Sequence, residues 1–495
     1  MPALSWVIFP LFWAVYTAAA RVSIADTIVQ HQGRTVDLTS RYYRRFAAAR
    51  LRALVFISLA VLLFPLSVAA SLVAIPAIAA DLQANAVMAS WIPAAFVLSS
   101  LVCQLPGGRI ADLVGLKRAF VWSSVGFVVG GLAGAFAPNI ELLLVSRVLQ
   151  GAAGAVLAST GMAILSRVYE SSGRGQALGW MTSAVYLGMT SGPLIGGVLV
   201  DLFGWRSVFF LPVPVAVGVV LLVKRVLPGE WISSERHSVD WGGSLIFAAA
   251  LAALFVGATH LAEVTGALTF AAGAALLYLF VRWNSRSSYP LVRLDLLLQN
   301  TPFIRSVTAA LFMYGSQYGI VLMMSLYLQY NRGLSPTEAG QLMMLQALMM
   351  TICAPIAGRL SDTLGRRILA TTGSLAIAVG LLWLTQMDAQ MPLFYVGLAI
   401  MMIGTGHGLF STPNNSSALA TIPAARVGIG AAIISLARQG GQLMGTAVIS
   451  LLLAIYFDGA AISADDAETF ERVAHLALYI STGFALCAAW FSWKR

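Results

Sequence analysis

An all-α polytopic membrane protein is the fold class this sequence predicts, with two six-helix halves and two extra spans at the centre. Three observations carry that reading: a composition outside the soluble range, apolar runs long enough to cross a bilayer along most of the chain, and basic residues gathered in alternate loops. Of the 495 residues, 59% are hydrophobic and only 10% are charged, with a mean hydropathy of +0.83. A soluble domain carries about a quarter charged residues, so no assembly of soluble domains fits.

The formal net charge is +10, from 30 Lys and Arg against 20 Asp and Glu. The basic residues lie in short segments between apolar runs, where membrane topology accounts for them. No basic stripe with interleaved stacking aromatics occurs, which argues against nucleic acid as a partner. Cys103, Cys353 and Cys487 sit in apolar surroundings without paired spacing and read as small buried hydrophobes. Neither a disulfide framework nor a metal site is implied, and no cofactor is expected.

Residues 1–52 form an N-terminal extension. Leu4 to Ala20 is apolar but marginally short for a span, and Arg21, Arg34, Arg41, Arg44, Arg45, Arg50 and Arg52 follow it. An extra span, an interfacial helix and a start site set too far upstream are all open; a dispensable extension is the reading we favour. From Ala53 the apolar runs fall near 53–80, 86–106, 119–138, 141–166, 176–200, 206–223, 242–260, 264–281, 303–328, 338–357, 368–387, 391–411, 427–456 and 473–492. Each is long enough to span.

The loops test this count independently, because Lys and Arg gather on the cytoplasmic side. Arg109, Lys117 and Arg118 share one loop, and the next, around Pro138 and Asn139, has no basic residue. Arg167 with Arg174, Lys224 with Arg225 and Arg236, Arg282 with Arg286 and Arg293, and Arg359 with Arg366 and Arg367 continue the alternation. The segment before Ala53 and the C-terminus are therefore expected in the cytoplasm, and the protein in a bacterial inner (plasma) membrane.

An internal repeat divides the chain. Gly108-Arg109-Ile110-Ala111-Asp112-Leu113-Val114-Gly115-Leu116-Lys117-Arg118 returns as Gly358-Arg359-Leu360-Ser361-Asp362-Thr363-Leu364-Gly365-Arg366-Arg367. Both copies follow the second span of a six-span set, which predicts parallel halves at 53–223 and 303–495, with linkers and two extra spans in 224–302. A third feature is the run from Tyr186 to Gly197. Gly188, Gly192 and Gly196 recur at helical spacing beside Gly197, so one face lacks side chains and admits a neighbouring helix, while Pro193 bends the span.

With these motifs in hand, the chain resembles the major facilitator superfamily, and within it the fourteen-span branch of drug:proton antiporters, from about Ala53 to the C-terminus. The signature loop matches at Gly108, Asp112, Gly115, Lys117 and Arg118. The fourth-span arginine motif matches at Arg147-Val148-Leu149-Gln150-Gly151-Ala152-Ala153-Gly154, and the antiporter motif at Gly188, Gly192, Pro193, Gly196 and Gly197. Arg438-Gln439-Gly440-Gly441-Gln442-Leu443-Met444-Gly445 resembles the penultimate-span pattern. The resemblance implies a secondary transporter that exports amphipathic or hydrophobic small molecules by alternating access in the lipid bilayer, with Asp112 and Asp362 in a gating loop and protons as coupling ion.

The residues themselves leave alternatives open. Asp112 is a gate or a helix cap. Arg147 organises a cavity or proton transfer, or else is a structural arginine bonded to carbonyls and Gln150. Arg438, Gln439 and Gln442 share helical spacing and line a cavity or bond helix to helix. Tyr314, Gln317 and Tyr318 share a face suited to substrate contact. The branch typically places an aspartate where this chain has Ser67, and no Asp or Glu stands near the middle of any proposed span. His407 is then the mid-span group that titrates near neutrality unaided, with Glu141 a second candidate if the fourth span begins deeper. A facilitator or non-proton-coupled carrier, and a non-transporting membrane sensor, are the alternatives. An enzyme is not expected: no nucleophile with a base, metal cluster or phosphate-cradling loop is present.

Overall fold

The computed structural model describes residues 41–169, 174–226, 229–232, 239–261, 263–287, 290–291, 300–387, 390–422, 427–457 and 467–495. Leu4 to Ala20 lies outside them, as does the question of whether it spans. The described helices are α1 (Arg41–Asp81), α2 (Ala86–Val114), α3 (Leu116–Ala135), α4 (Ile140–Val168), α5 (Arg174–Phe203), α6 (Arg206–Phe210) and α7 (Pro212–Val226). They continue with α8 (Trp241–Thr259), α9 (Val264–Arg286), α10 (Thr301–Tyr330), α11 (Pro336–Leu364), α12 (Arg366–Leu384), α13 (Leu393–Ala420), α14 (Val427–Phe457) and α15 (Ala467–Trp493). Among the described residues fourteen helical stretches are long and apolar enough to cross a membrane, α6 and α7 together making the sixth.

Local chemistry sets the helix starts. Asn85 accepts from the Met88 amide at 2.8 Å, Asn139 from Leu142 at 3.0 Å, Asp240 from Gly243 at 2.8 Å and Asn300 from Phe303 at 3.0 Å. Each side chain satisfies one of the amides that a helix's first turn leaves unpaired. Ser335 and Glu338 cap α11 reciprocally.

Several boundaries differ from the sequence expectation. The repeated motif is not a loop: α2 runs through Asp112 to Val114 and α11 through Asp362 to Leu364. Only Gly115 and Gly365 break the chain, at φ +104° and +89°, backbone conformations that side-chain-bearing residues rarely adopt. Nothing in Arg-Ile-Ala-Asp-Leu opposes a helix, so the charged residues mark the membrane boundary without ending the element. Likewise α13 runs past the apolar stretch that ends near 411 and past Pro413 to reach Ala420; Asn414, within it, is fully buried and donates to the Ser306 carbonyl at 3.2 Å. Helix α1 begins at Arg41, a dozen residues before the apolar run.

The helices pack in two groups. In the first, α1 lies along α5, α2 along α4, and α3 against α4 and α7. In the second, α10 lies along α14 and α15, α11 along α13, and α12 against α13 and α15. The pair α8 and α9 pack on each other, and α8 reaches α2 and α14, with Trp91 and Phe255 edge to face at 5.1 Å. In α9 only 17% of the apolar window is buried, against 78% in α1, so α9 is peripheral.

Two seams join the groups, α5 with α11 and α2 with α14. At the end that carries Asp81 and Asp201, the Asp201 carboxylate accepts from the Thr337 amide at 3.0 Å and from its hydroxyl. Nearby, Ser325 donates to the Leu72 carbonyl at 2.7 Å, Gln329 to Val73 at 3.1 Å, and the Ser90 and Ser450 hydroxyls meet at 2.6 Å. At mid-depth Thr190 and Thr351 meet at 3.0 Å. Nearer the Gly115 end, Gln104 donates to Ser435 at 2.9 Å and accepts from Gln439 at 2.7 Å. Beyond that depth Thr182 and Ser183 of α5 and Ile356 and Leu360 of α11 are exposed, and the contacts that close the α5–α11 seam gather at its Asp201 end.

Candidate functional site

Helix α5 carries the close packing that the glycine spacing predicts, and it does so on two faces. A methyl group at Gly188 would stand 2.7 Å from the Leu62 carbonyl oxygen, at Gly192 2.5 Å from Ala69, and at Gly196 2.7 Å from the Ala70 Cα, all on α1. At Gly197 it would stand 2.3 Å from the Pro336 oxygen on α11, and at Gly340 of α11 2.3 Å from the Pro193 oxygen. Three glycines thus fuse α5 to its own group, while Gly197 with Gly340 lets the two groups touch backbone to backbone. Pro193, inside the helix, has no amide to donate to the Met189 carbonyl one turn back, which loosens the helix at this point.

Arg147 and Gln150 lie in the first group, both fully buried. Arg147 donates to Gln150 Oε1 at 2.8 Å, to Ser71 Oγ at 3.2 Å, to the Ile92 carbonyl at 3.3 Å and to Ser67 Oγ at 3.4 Å. Its guanidinium also sits over the Phe96 ring at 4.4 Å. Helices α1, α2 and α4 are tied together by one side chain, and Ser67, where the resembled branch has an acid, is one of its acceptors. Glu141 stands exposed in the first turn of α4, at the surface and apart from this cluster.

In the second group Tyr314, His407 and Arg438 come together from α10, α13 and α14. The Tyr314 and His407 rings meet edge to face at 5.0 Å, and the Arg438 guanidinium lies 5.9 Å from the Tyr314 ring centre. His407 is fully buried, with neither ring nitrogen hydrogen-bonded among the described residues. Arg438 is exposed and donates to Ser435 at 3.2 Å. Ser435 also accepts from Gln104 of α2, and Tyr186 of α5 is within electrostatic reach of Tyr314, so this cluster borders the first group. Gln317 is buried one turn along α10, and Gln442 is half-buried one turn along α14. The side chain of Tyr318 lies outside the described residues.

At the Gly115 end, Asp112 is half-buried near Arg109 and Arg167, all within the first group. Gly108 and Gly358 have room around them: a methyl group at Gly108 meets nothing within 4 Å, and one at Gly358 makes ordinary contact with Thr412. The side chain of Asp362 lies outside the described residues. The residue that caps α3 is Glu230, which the sequence reading did not single out. Its carboxylate accepts from the Lys117 amide at 2.7 Å and the Arg118 amide at 3.1 Å, and pairs with the Arg118 side chain at 3.8 Å. The Leu116 amide donates to the Trp231 carbonyl at 3.0 Å, so the segment after α7 folds back onto the start of α3. An acid between Gly229 and Trp231 was the available signal.

Two helix groups around polar mid-depth clusters, with a repeated motif at matching places, set the terms for comparison with known proteins. Residues 57–446 match the sequence model described as Major Facilitator Superfamily. The chain belongs to the Major Facilitator Superfamily. Its fourteen candidate spans agree with the fourteen-span branch. Among relatives, it is 29% identical over 77% of its length to the riboflavin transporter RibZ of Clostridioides difficile, covering 83% of that protein. It is 30% identical over 74% of its length to the multidrug resistance protein Stp of Mycobacterium tuberculosis, covering 69% of it. It is 26% identical over 82% of its length to the multidrug efflux pump LfrA of Mycolicibacterium smegmatis, covering 81% of it. A crystal structure of a D-xylose-proton symporter superposes with a TM-score of 0.62 at 15% identity, covering 90% of this chain and 97% of that one, which shows the shared facilitator fold. This facilitator-family chain is therefore an integral membrane transporter of small molecules.

Proposed function

We propose that the protein exports amphipathic or hydrophobic small molecules by alternating access, the two helix groups rocking about the seams α5–α11 and α2–α14. The observation that carries the reading is the α5–α11 seam, shut by Gly197, Gly340 and the Asp201–Thr337 bonds at one end and flanked by exposed residues towards the other. Substrate meets Tyr314, Gln317, Arg438 and Gln442 at mid-depth, and Asp112 with its repeat Asp362 acts at the end that opens. The basic residues near Gly115 and Gly365 support a cytoplasmic location for that end and for the C-terminus, in a bacterial inner membrane. Two multidrug relatives support the efflux reading.

Proton antiport is the coupling proposed, with His407 as the titrating group. A facilitator is the second reading, favoured by one observation: within the described helices every Asp and Glu lies within about four residues of a helix end. Proteoliposomes loaded with fluorescent amphipaths of either charge, with and without an imposed pH gradient, decide between them. Gradient-driven flux abolished in His407→Ala supports antiport. Flux indifferent to the gradient supports the facilitator, and absence of flux and counterflow for every amphipath overturns the transport reading.

A further inference from the structure

The mid-depth cluster has one sign of charge. Arg438 stands eleven residues into α14, far from either membrane boundary, and no carboxylate shares its depth within the described helices. Its surroundings are Ser435, the Tyr314 ring and, against that ring, the His407 imidazole, with no acid among them. Ser435, to which Arg438 donates, also accepts from Gln104 of the other group, so the exposed side chain of Arg438 lies beside the seam between the groups. A guanidinium in such a place is a positive charge with no acid of the protein beside it, and a counter-anion can pair with it. Its flat fork of donors matches a carboxylate or sulfonate in a two-point contact. Beside it stand two phenols and the polar pair Gln104 and Gln439, the latter with a buried Oε1 left unbonded among the described residues.

We infer that this site selects aromatic organic anions, carboxylates or sulfonates, with Arg438 as counter-charge and Tyr314 and Tyr186 as the flat walls. The inference rests on the transport reading above and deepens it. An aromatic cation entering the same space meets Arg438 head on with no acid to offset it, so selection works by repulsion as well as attraction. Arg147, locked into α1, α2 and α4, adds positive potential from the first group without contacting substrate.

The test uses the full-length protein, with binding and flux measured separately. Binding of carboxyfluorescein, naphthalenesulfonate and ethidium is read in detergent by quenching of tryptophan fluorescence, and flux by counterflow in proteoliposomes. The parent is expected to bind and move the two anions. Arg438→Gln is expected to weaken anion binding at least tenfold, while Arg438→Lys keeps most of it because the charge remains. Ethidium is expected to bind weakly to the parent and no worse to Arg438→Gln. Thermal unfolding of both variants shows that they are folded. Ethidium bound and moved while both anions are refused overturns the anion site and leaves transport standing. Anions bound in an Arg438-dependent way but not moved overturns transport and leaves the site standing. If no anion binds, or if Arg438→Gln binds anions as the parent does, the inference fails.

Discussion

Adding a methyl group at Gly197 should open the end of the molecule that is shut here. The new Cβ would lie 2.3 Å from the Pro336 oxygen and 2.8 Å from its carbonyl carbon and the Thr337 Cα, all backbone atoms that no rotamer change can move. Ordinary contact begins at 3.4 Å, so α5 and α11 must part by roughly 1 Å at this point. Overpacking of this kind costs about 1–3 kcal/mol. Because Gly197 touches the other group, that cost falls on the closed arrangement alone, and the ratio of open to closed should rise roughly ten- to hundredfold. Gly196→Ala is the matched control: its Cβ would strike Ala70 of α1, inside the same group, whichever end is open. Spin labels at Gln83 and Gln386, both exposed at this end, report the gap by electron–electron distance measurement. Gly197→Ala should populate longer distances, and Gly196→Ala should lower the unfolding midpoint without lengthening them. Identical distance distributions for parent and Gly197→Ala would refute the reasoning, as would equal lengthening in both variants.

Three further outcomes follow from the geometry. Glu230→Ala removes the cap on α3, a loss of about 0.5–2 kcal/mol, and the Lys117 and Arg118 amides should exchange hydrogen roughly tenfold faster by mass spectrometry. Arg147→Met leaves the buried Gln150 oxygen without its donor, at about 1–3 kcal/mol, so the unfolding midpoint in detergent should fall clearly. Gly151→Ala places a Cβ 2.1 Å from the Phe96 oxygen and should abolish folded yield by size exclusion, whereas Gly179→Ala, with nothing within 4 Å, should be indistinguishable from the parent.

The membrane class and the fourteen spans among the described residues were legible because hydropathy over about twenty residues is a strong, local signal. Boundaries were less so. Hydropathy falls where Arg109 and Asp112 enter, yet a helix can continue through charges at the membrane surface, and only Gly115 ends it. The glycine spacing at Gly188, Gly192 and Gly196 told that a helix would lie close, because period and side-chain volume are written in the chain. It did not tell that Gly197 faces a different helix from the other three, since that depends on the partner's position. Arg147 was found from its cost in lipid, but the hydroxyls that receive it come from α1, about eighty positions away. Glu230 escaped notice because a linker acid is ordinary until the fold brings it to the start of α3.

The Asp201 contact bears on how often the molecule could change shape. Thr337 is the second residue of α11, and its amide would be unpaired in an isolated helix; Asp201 supplies from the other group an acceptor that also suits the positive end of the helix. Yet α11 keeps its own Ser335 and Glu338 bonds at 3.3 and 2.9 Å when Asp201 withdraws, and water can take the freed amide. The clasp therefore sets the register of closure without making closure deep. In the alternating access proposed above, a shallow well on this side would keep two arrangements within reach of a substrate's modest binding energy, and a tighter clasp would make a slower machine.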